Sequence, residues 1–182
     1  MQHTHFLQSK KLRLRALELT DVEILYKIEN DSEMWDISGF TTPYSRKTLQ
    51  EFIVATHSDL YVDKQLRLMI EHKETKKIIG IIDLDSFDPH HSRATVGIMI
   101  QRDARRAGMA KEALKLLCDY VFNYLHIHQL IAYVPVDNVA SLHVFLHAGF
   151  RQQARLTDWI RRTEGYCDVF LLQQQGETTD KK

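Results

Sequence analysis

The chain has 182 residues, and its 24 lysines and arginines balance its 24 aspartates and glutamates, so the formal net charge is zero. This balance argues against a nucleic-acid partner, which normally needs a basic excess, and 44% hydrophobic content excludes a disordered chain. A chain of this length can form one core, so we expect a single domain over 1–182, with a core of about 10–174 and a polar tail over 175–182.

The first third of the chain carries one strand pattern and two helix patterns. Period-two alternation over 11–17 predicts a half-buried strand. Thr20 and Glu23 have the spacing of a capping box and predict the start of a helix, and Ser45 can cap a second one. The apolar stripe expected on this second helix consists of Leu49, Phe52, Ile53 and Leu60.

Three strand-like segments follow in the middle of the chain. The apolar runs 66–70 and 78–84 are joined by the polar segment 71–77, which predicts a hairpin. A turn at 88–91 precedes a further strand, whose alternate residues should face opposite sides of the sheet. One side is expected to carry Ala94, Val96, Ile98 and Ile100, and the other Thr95, Gly97 and Met99.

The remaining chain alternates between helices and strands. A long amphipathic helix is expected from near Gly108 to Leu125, and a strand over 129–136. Asn138 can cap a short helix that Gly149 ends. Two final strands are expected near 150–161 and 166–173. The order predicts an α/β protein with one mixed sheet of about seven strands flanked by about four helices.

The connection that leads into the long helix is basic and rich in small residues. The start of a helix leaves backbone N–H groups unpaired and carries about half a positive charge, so it attracts phosphates. Arg102, Arg105 and Arg106 add cationic side chains, and Gly108 and Ala110 leave the backbone accessible. A phosphate site and a solvated basic loop are both compatible with these residues.

The segment Arg105-Arg106-Ala107-Gly108-Met109-Ala110 resembles the coenzyme loop of the GNAT N-acetyltransferase superfamily, which reads Gln/Arg-x-x-Gly-x-Gly/Ala. A second segment, Asn138-x-x-Ser141 followed by Gly149-Phe150, also resembles the family pattern and comes in the family order. The resemblance is greatest to the branch of spermidine and diamine N-acetyltransferases and ribosomal-protein N-terminal acetyltransferases. It implies a GNAT-like fold and acetyl-CoA as cosubstrate.

The resemblance also implies which residues contact the coenzyme. Backbone groups of the strand should pair with the pantetheine arm, and N–H groups of the loop should bind the pyrophosphate. For Asn138, a plain helix cap is an equal alternative. The expected coenzyme residues are Ile98, Met99, Ile100, Arg105, Arg106, Ala107, Gly108, Met109, Ala110, Lys111, Asn138, Ser141 and Phe145.

Acetyl transfer to an amine needs a neutral nucleophile, a donor for the oxyanion and a proton for the thiolate. Many relatives carry a tyrosine as the acid at the position of Phe145 and a carboxylate at that of Thr95, so the chain departs from the family pattern twice. We expect Asp83 as a candidate base and Tyr133 as a candidate acid, with Tyr166 as an alternative acid. An exposed strand carboxylate and packed aromatic rings are the structural alternatives, and the thiolate can also take a proton from water.

Acidic residues surround Trp35 in the connection that lines the acceptor groove in the family. Clustered carboxylates suit a polycation, although a charge cluster in a loop is often only solvated. The expected acceptor-side residues are Glu29, Glu33, Trp35, Asp36, Asp83 and Asp85. A polyamine or diamine such as spermidine is the favoured acceptor. A protein N-terminus remains an alternative, as does a non-catalytic acyl-CoA-binding module.

Other features narrow the setting of the protein. The first residues lack the pattern of a secretory signal, and no apolar run reaches the roughly 18 residues of a membrane span. Cys118 and Cys167 indicate neither a disulfide framework nor a zinc site, and His143 and His147 have no third ligand at a motif spacing. We expect a cytoplasmic protein without a metal or membrane partner, and the sequence leaves a homo-oligomer open.

Overall fold

The structure is a computed structural model that describes residues 6–31, 42–57 and 59–176. In this part of the chain, seven strands form one sheet in the order β1-β2-β3-β4-β5-β7-β6. The strands are β1 Leu12–Arg15, β2 Leu66–His72, β3 Ile78–Asp88, β4 Arg93–Ile100, β5 Gln129–Pro135, β6 Arg151–Arg162 and β7 Gly165–Gln175. The helices are α1 Val22–Glu29, α2 Arg46–Ala55, α3 Leu60–Asp63, α4 Met109–Asn123 and α5 Val139–His147. The predicted α/β mixed sheet is confirmed.

The pairing of β4 with β5 differs from that of the other strands. These two strands are parallel, whereas the other neighbouring strands pair antiparallel. Their pairing runs only from Arg93 and Gln129 to Thr95 and Ile131. Because β4 continues to Ile100 and β5 to Pro135, the two strands separate and leave a cleft in the middle of the sheet.

The two faces of the sheet carry separate apolar clusters. The main core lies between the sheet and helices α4 and α5, and it includes Ile82, Val96 and Leu117. The opposite face, named here the α1 face, packs Met69 and Ile81 against Leu25 of α1 and Leu49 of α2. The predicted alternation along β4 is confirmed, since Ala94 and Val96 belong to the main core, whereas Met99 packs against the α1-face cluster.

Two details of the helices differ from the predictions. The predicted capping box of Thr20 and Glu23 is wrong: a 3₁₀ turn, Leu19–Asp21, precedes α1, and Asp21 accepts the N–H of Glu18 at 2.8 Å. Glu23 instead binds the guanidinium of Arg46, which lies on α2. The capping pair is therefore Glu18 and Asp21, two residues before the predicted pair, and Arg15 also binds Asp21.

The second difference concerns Leu60, which the sequence placed on the second helix. The α2 helix ends at Ala55, and Leu60 begins the short helix α3. The carboxylate of Asp59 starts this helix by accepting the N–H of Tyr61 at 2.8 Å. The predicted caps Ser45 and Asn138 are confirmed, and Gly149 follows α5 with a φ of 102°, a left-handed conformation that favours glycine.

A buried ion-pair network fixes β1 against the first helical turn. The Arg15 guanidinium donates to both carboxylate oxygens of Asp21, at 2.7 and 2.8 Å, and its Nε donates to Glu71 at 2.9 Å. The hydrogen bonds from Arg15 and from the Glu18 N–H outweigh burial and hold the pKa of Asp21 below its usual value. Asp21 is therefore a structural carboxylate.

Candidate active site

The cleft between β4 and β5 exposes one backbone edge of β4. Gln101 donates its N–H to Ile79 of β3 at 2.8 Å. Since backbone direction alternates along a strand, Met99 and Gly97 also turn their N–H and C=O groups toward β3, whereas Val96 and Ile98 turn theirs toward β5. Beyond the last β4–β5 pair, these groups line the cleft and can bind an extended ligand as an added strand.

The three strand residues predicted to meet the coenzyme are therefore not equivalent. Ile98 presents its backbone to the cleft. Ile100 does so too, but its carbonyl already accepts a hydrogen bond from the Nε of Arg105 at 3.0 Å. Met99 turns its backbone toward β3, so only its side chain, on the α1 face, is available to a ligand.

The loop from β4 to α4 has the backbone shape of an anion site. A 3₁₀ turn, Arg102–Ala104, is followed by Arg106 with a φ of 65° and Gly108 with a φ of 75°. Gly108 is the cap residue of α4, and in the described part of the chain no side chain caps this helix. The first N–H groups of α4, from Met109 onward, have no intrahelical acceptor and point out of the helix start. A Cβ at Gly108 would meet no heavy atom within 4 Å, so the space above it is open.

The arginines of this loop are exposed and precede the helix start. Arg105 is fixed by its bond to the Ile100 carbonyl. Arg102 approaches Asp31 at 3.9 Å, a long ion pair that joins the basic loop to the second residue after α1. Ala107, Met109, Ala110 and Lys111 complete the predicted loop set at the beginning of α4. The arrangement provides positive charge and free N–H donors at one place, as diphosphate binding requires.

The second predicted coenzyme segment lies at the start of α5. The Asn138 side chain accepts the N–H of Ser141 at 3.1 Å and so acts as a helix cap. Phe145 is 3% exposed and packs edge-on against Phe150, with ring centroids 5.0 Å apart. The ring of Phe145 therefore belongs to the core, and at this position the chain offers neither a hydroxyl nor a polar contact to the cleft.

Polar side chains on the α1 face flank the cleft. Ile82 and Leu84 point into the main core, so Asp83 and Asp85 lie on the α1 face. Asp83 is opposite Gly97 of β4, and Asp85 is opposite Thr95. A Cβ at Gly97 would meet no heavy atom within 4 Å, so the space in front of Asp83 is open. The structure thus brings together the predicted carboxylates and the strand that borders the cleft.

Asp83 is not an isolated carboxylate. The Nε and Nη2 of Arg67, on β2, each donate to it at 3.0 Å, and the Nη1 of Arg67 binds Glu29 at the end of α1. Burial raises the pKa of Asp83 while Arg67 opposes the rise, and burial likewise raises the pKa of Glu29. We call Glu29, Arg67 and Asp83 the charged cluster.

The sequence reasoning missed Arg67. The alternation of Arg67 with Leu66 and Leu68 predicts only that it lies on the other face of the strand from these leucines. Its pairing with Asp83 depends on the register between β2 and β3.

Tyr133 faces the cleft from the β5 side. Its neighbours Ala132 and Val134 point into the main core, so Tyr133 lies on the α1 face, two residues beyond the last β4–β5 pair. Its ring is 39% exposed and stacks on Trp159 of β6, with centroids 5.7 Å apart and planes inclined by 15°. Tyr166 is separated from Phe170 and Leu172 on β7 by an even number of residues, so it lies on their face of the sheet, the main-core face. Tyr166 and Tyr133 are therefore on opposite faces.

The remaining predicted acceptor residues are only partly described. Glu29 belongs to the charged cluster, whereas Glu33, Trp35 and Asp36 lie outside the described residues. Within the described ranges, no three His, Cys, Asp or Glu side chains are grouped to hold a metal ion, and no helix has the length and apolarity to cross a membrane. A separate cavity of about 440 Å³ lies beside the β6–β7 hairpin. Its arginines are already paired, Arg155 with Asp168 and Arg162 with Asp137.

The separated central strand pair and the basic helix start that follows it are the two features expected from the resemblance to the GNAT superfamily. A family model described as "Acetyltransferase (GNAT) domain" matches residues 11–151, and the chain belongs to this acetyltransferase family. The sequence expectation of the family is thereby confirmed.

Proteins similar in sequence to this chain include named acetyltransferases. An uncharacterised N-acetyltransferase of Bacillus licheniformis is 27% identical over 91% of this chain and 93% of its own length. The spermidine N(1)-acetyltransferase of Escherichia coli K12 is 28% identical over 80% of this chain and 75% of its own length.

Solved structures of the Vibrio cholerae spermidine N-acetyltransferase share the fold. The complex with CoA and spermine superposes with a TM-score of 0.81 at 24% identity, covering 92% of this chain and 96% of that one. A further structure of that enzyme is dodecameric and superposes with a TM-score of 0.76 at 24% identity, over 92% and 95% of the two chains.

Proposed function

We propose that this protein transfers an acetyl group from acetyl-CoA to a primary amine, with a polyamine or diamine such as spermidine as the favoured acceptor. The observation that carries the proposal is the cleft where β4 and β5 separate, directly followed by the helix start at Gly108. The free backbone edge of β4 suits the pantetheine arm, and the N–H groups of the loop suit the diphosphate. The names of the spermidine-acetylating relatives support the acceptor class.

The chemistry divides between the two walls of the cleft. The amine nitrogen attacks the thioester carbonyl carbon, and the new C–N bond places negative charge on the carbonyl oxygen. Backbone N–H groups on the free edge of β4 can donate to this oxyanion. The tetrahedral intermediate then collapses and its C–S bond breaks, and the CoA thiolate takes a proton from Tyr133 or from water.

Asp83 is the candidate acceptor of the amine's proton. It stands opposite the open space at Gly97, where an acceptor amine can approach β4. The upward shift of its pKa by burial makes it a stronger base than an exposed aspartate. Asp85, on the same face and exposed, adds negative charge that favours a cationic acceptor.

A non-catalytic acyl-CoA-binding module is the second candidate, because Phe145 is buried in the core and cannot protonate the thiolate. Release of free CoA thiol from acetyl-CoA separates the two functions. We expect release with spermidine, spermine or a diamine above the rate without an amine. If no polyamine, amino acid or peptide N-terminus raises thiol release above that background, the enzyme assignment is wrong, and CoA binding alone then favours the module.

The acceptor class can be tested on Asp85. We expect Asp85→Asn to raise the KM for spermidine about two- to fivefold, because an exposed charge contributes modestly to binding. A peptide with a free N-terminus should show no such change. Asp119→Asn is the matched control, because it removes an exposed carboxylate from α4, which packs on the sheet face opposite Asp85. Equal KM values for Asp85→Asn and the parent protein would contradict the placement of the acceptor.

A further inference from the structure

Arg67 joins two carboxylates that come from different parts of the fold. Its fork-shaped guanidinium donates twice to Asp83 on β3, at 3.0 Å for each bond, and its remaining Nη1 binds Glu29 on α1. The Glu29 side chain is 3% exposed, and those of Arg67 and Asp83 are each 24% exposed. The charged cluster therefore has a buried end at α1 and a partly open end at Asp83.

The carboxylate of Glu29 lies in an environment that disfavours its charge. It is buried and belongs to the last residue of α1, where the helix dipole is negative. Arg67 supplies a compensating positive charge, and its guanidinium also lies 5.8 Å from the centroid of the Phe52 ring on α2. Contacts to α1, α2 and β3 thus define the position of Arg67, and through it the position of Asp83.

Two bonds from a rigid planar group fix the Asp83 carboxylate more strictly than a single bond does. Both oxygens are engaged by Arg67 on one side, which leaves their remaining lone pairs for the space in front of Gly97. The formal charges of two carboxylates and one guanidinium leave a single negative charge. This charge matches one ammonium group of an acceptor.

We propose that Arg67 is a positioning residue for the acceptor amine, which orients Asp83 toward the cleft and limits the charged cluster to one net negative charge. This inference rests on the proposed amine acetylation. An acceptor ammonium binds Asp83, transfers its proton to that carboxylate or to water, and attacks as the neutral amine. Glu29 does not contact the amine in this scheme, and it anchors the guanidinium.

The test compares Arg67→Lys and Arg67→Ala with the parent protein. Lysine keeps the charge but loses the planar fork, so we expect kcat to fall about tenfold through misplacement of Asp83. Alanine removes the positive charge next to two carboxylates, which raises the pKa of Asp83. The acid limb of the kcat/KM profile should therefore move to higher pH by about one unit. The other charged groups that face Asp83, Glu29 and Asp85, are the same in both variants. The shift of the acid limb therefore reports the loss of the Arg67 charge.

Added guanidinium ion provides a readout that a purely structural role would not give. Millimolar guanidinium should restore part of kcat in Arg67→Ala and have no such effect on the parent protein. Arg46→Ala is the matched control, since Arg46 also makes a two-bond contact to a carboxylate, Glu23, but lies exposed on α2. We expect it to keep the pH profile of the parent protein.

The outcomes separate this inference from the proposed function. If the parent protein releases no thiol with any amine, the proposed function fails and the inference fails with it. If the parent protein is active and both Arg67 variants keep its kcat and its acid limb, Arg67 has no positioning role while the proposed function stands. If Arg67→Ala does not fold, Arg67→Lys decides, and an unchanged kcat in that variant overturns the inference.

Discussion

Replacement of Gly108 tests the proposed coenzyme loop most directly. Gly108 has a φ of 75°, a left-handed conformation that costs a residue with a Cβ about 1–2 kcal/mol. An added Cβ meets no heavy atom within 4 Å, so we expect no further loss from steric overlap in the folded protein. Gly108→Ala should therefore lower the free energy of unfolding by about 1–2 kcal/mol and leave the protein folded.

A larger side chain at this position should act on binding. Leucine at 108 extends into the open space above the first N–H groups of α4, where we place the diphosphate. We expect the Kd for CoA to rise at least about tenfold, which corresponds to about 1.4 kcal/mol. Urea unfolding gives the stability change, and isothermal titration calorimetry gives the Kd.

Gly165 provides the matched control. It also has a positive φ, 125°, and open space around its Cβ position, but it is the first residue of β7, next to the β6–β7 turn. Gly165→Leu should destabilise the protein through its backbone conformation and leave the Kd for CoA unchanged. If Gly108→Leu is as destabilised as Gly165→Leu and still binds CoA with the parent Kd, the loop does not hold the diphosphate.

Three further predictions concern the cleft and the core. Tyr133→Phe keeps the ring that stacks on Trp159 and loses only the hydroxyl. If the tyrosine protonates the thiolate, steady-state kinetics should show a kcat that is about 10- to 100-fold lower, with little change in KM. Gly97→Val places a side chain in the open space opposite Asp83, so thiol release should fall, whereas the melting temperature should stay equal or rise because valine favours strands. Asp21→Asn should lower the free energy of unfolding at pH 7 by about 2–3 kcal/mol, because it weakens a buried ion pair. Folding lowers the pKa of Asp21 from its usual 3.8, so the ionised carboxylate stabilises the folded protein above that pH. This stabilisation is lost as the pH falls through the lower pKa of the folded state. The free energies of unfolding of the parent protein and the variant, measured in urea, should therefore converge in acid.

Each of these predictions has an outcome that contradicts it. Equal kcat values for Tyr133→Phe and the control Tyr166→Phe would leave water as the proton donor. Full activity of Gly97→Val would move the acceptor away from β4. A difference between Asp21→Asn and the parent protein that does not shrink as the pH is lowered would mean that the loss comes from packing and not from the charge of Asp21.

The sequence by itself determined most of the elements and the glycine at the start of α4, because both depend on local patterns. The alternation along β4, the cap at Asn138 and the glycine after α5 are properties of neighbouring residues, and the structure has them where the pattern predicted them. The family followed from a short loop motif in the correct order of elements. The prediction failed at Thr20, where Asp21, which also binds Arg15, takes the capping role that was expected of Glu23.

Only the tertiary structure decided which of these residues meet. The register of β2 against β3 brings Arg67 to Asp83, and the packing of α1 brings Glu29 to the same guanidinium, although the three residues are far apart in sequence. The early end of β4–β5 pairing opens the cleft, and the pairing of β4 with β3 leaves the backbone of Ile98 directed toward it and that of Met99 away from it. Long-range contacts of this kind depend on register and on strand separation, which leave no signal in a period-two pattern.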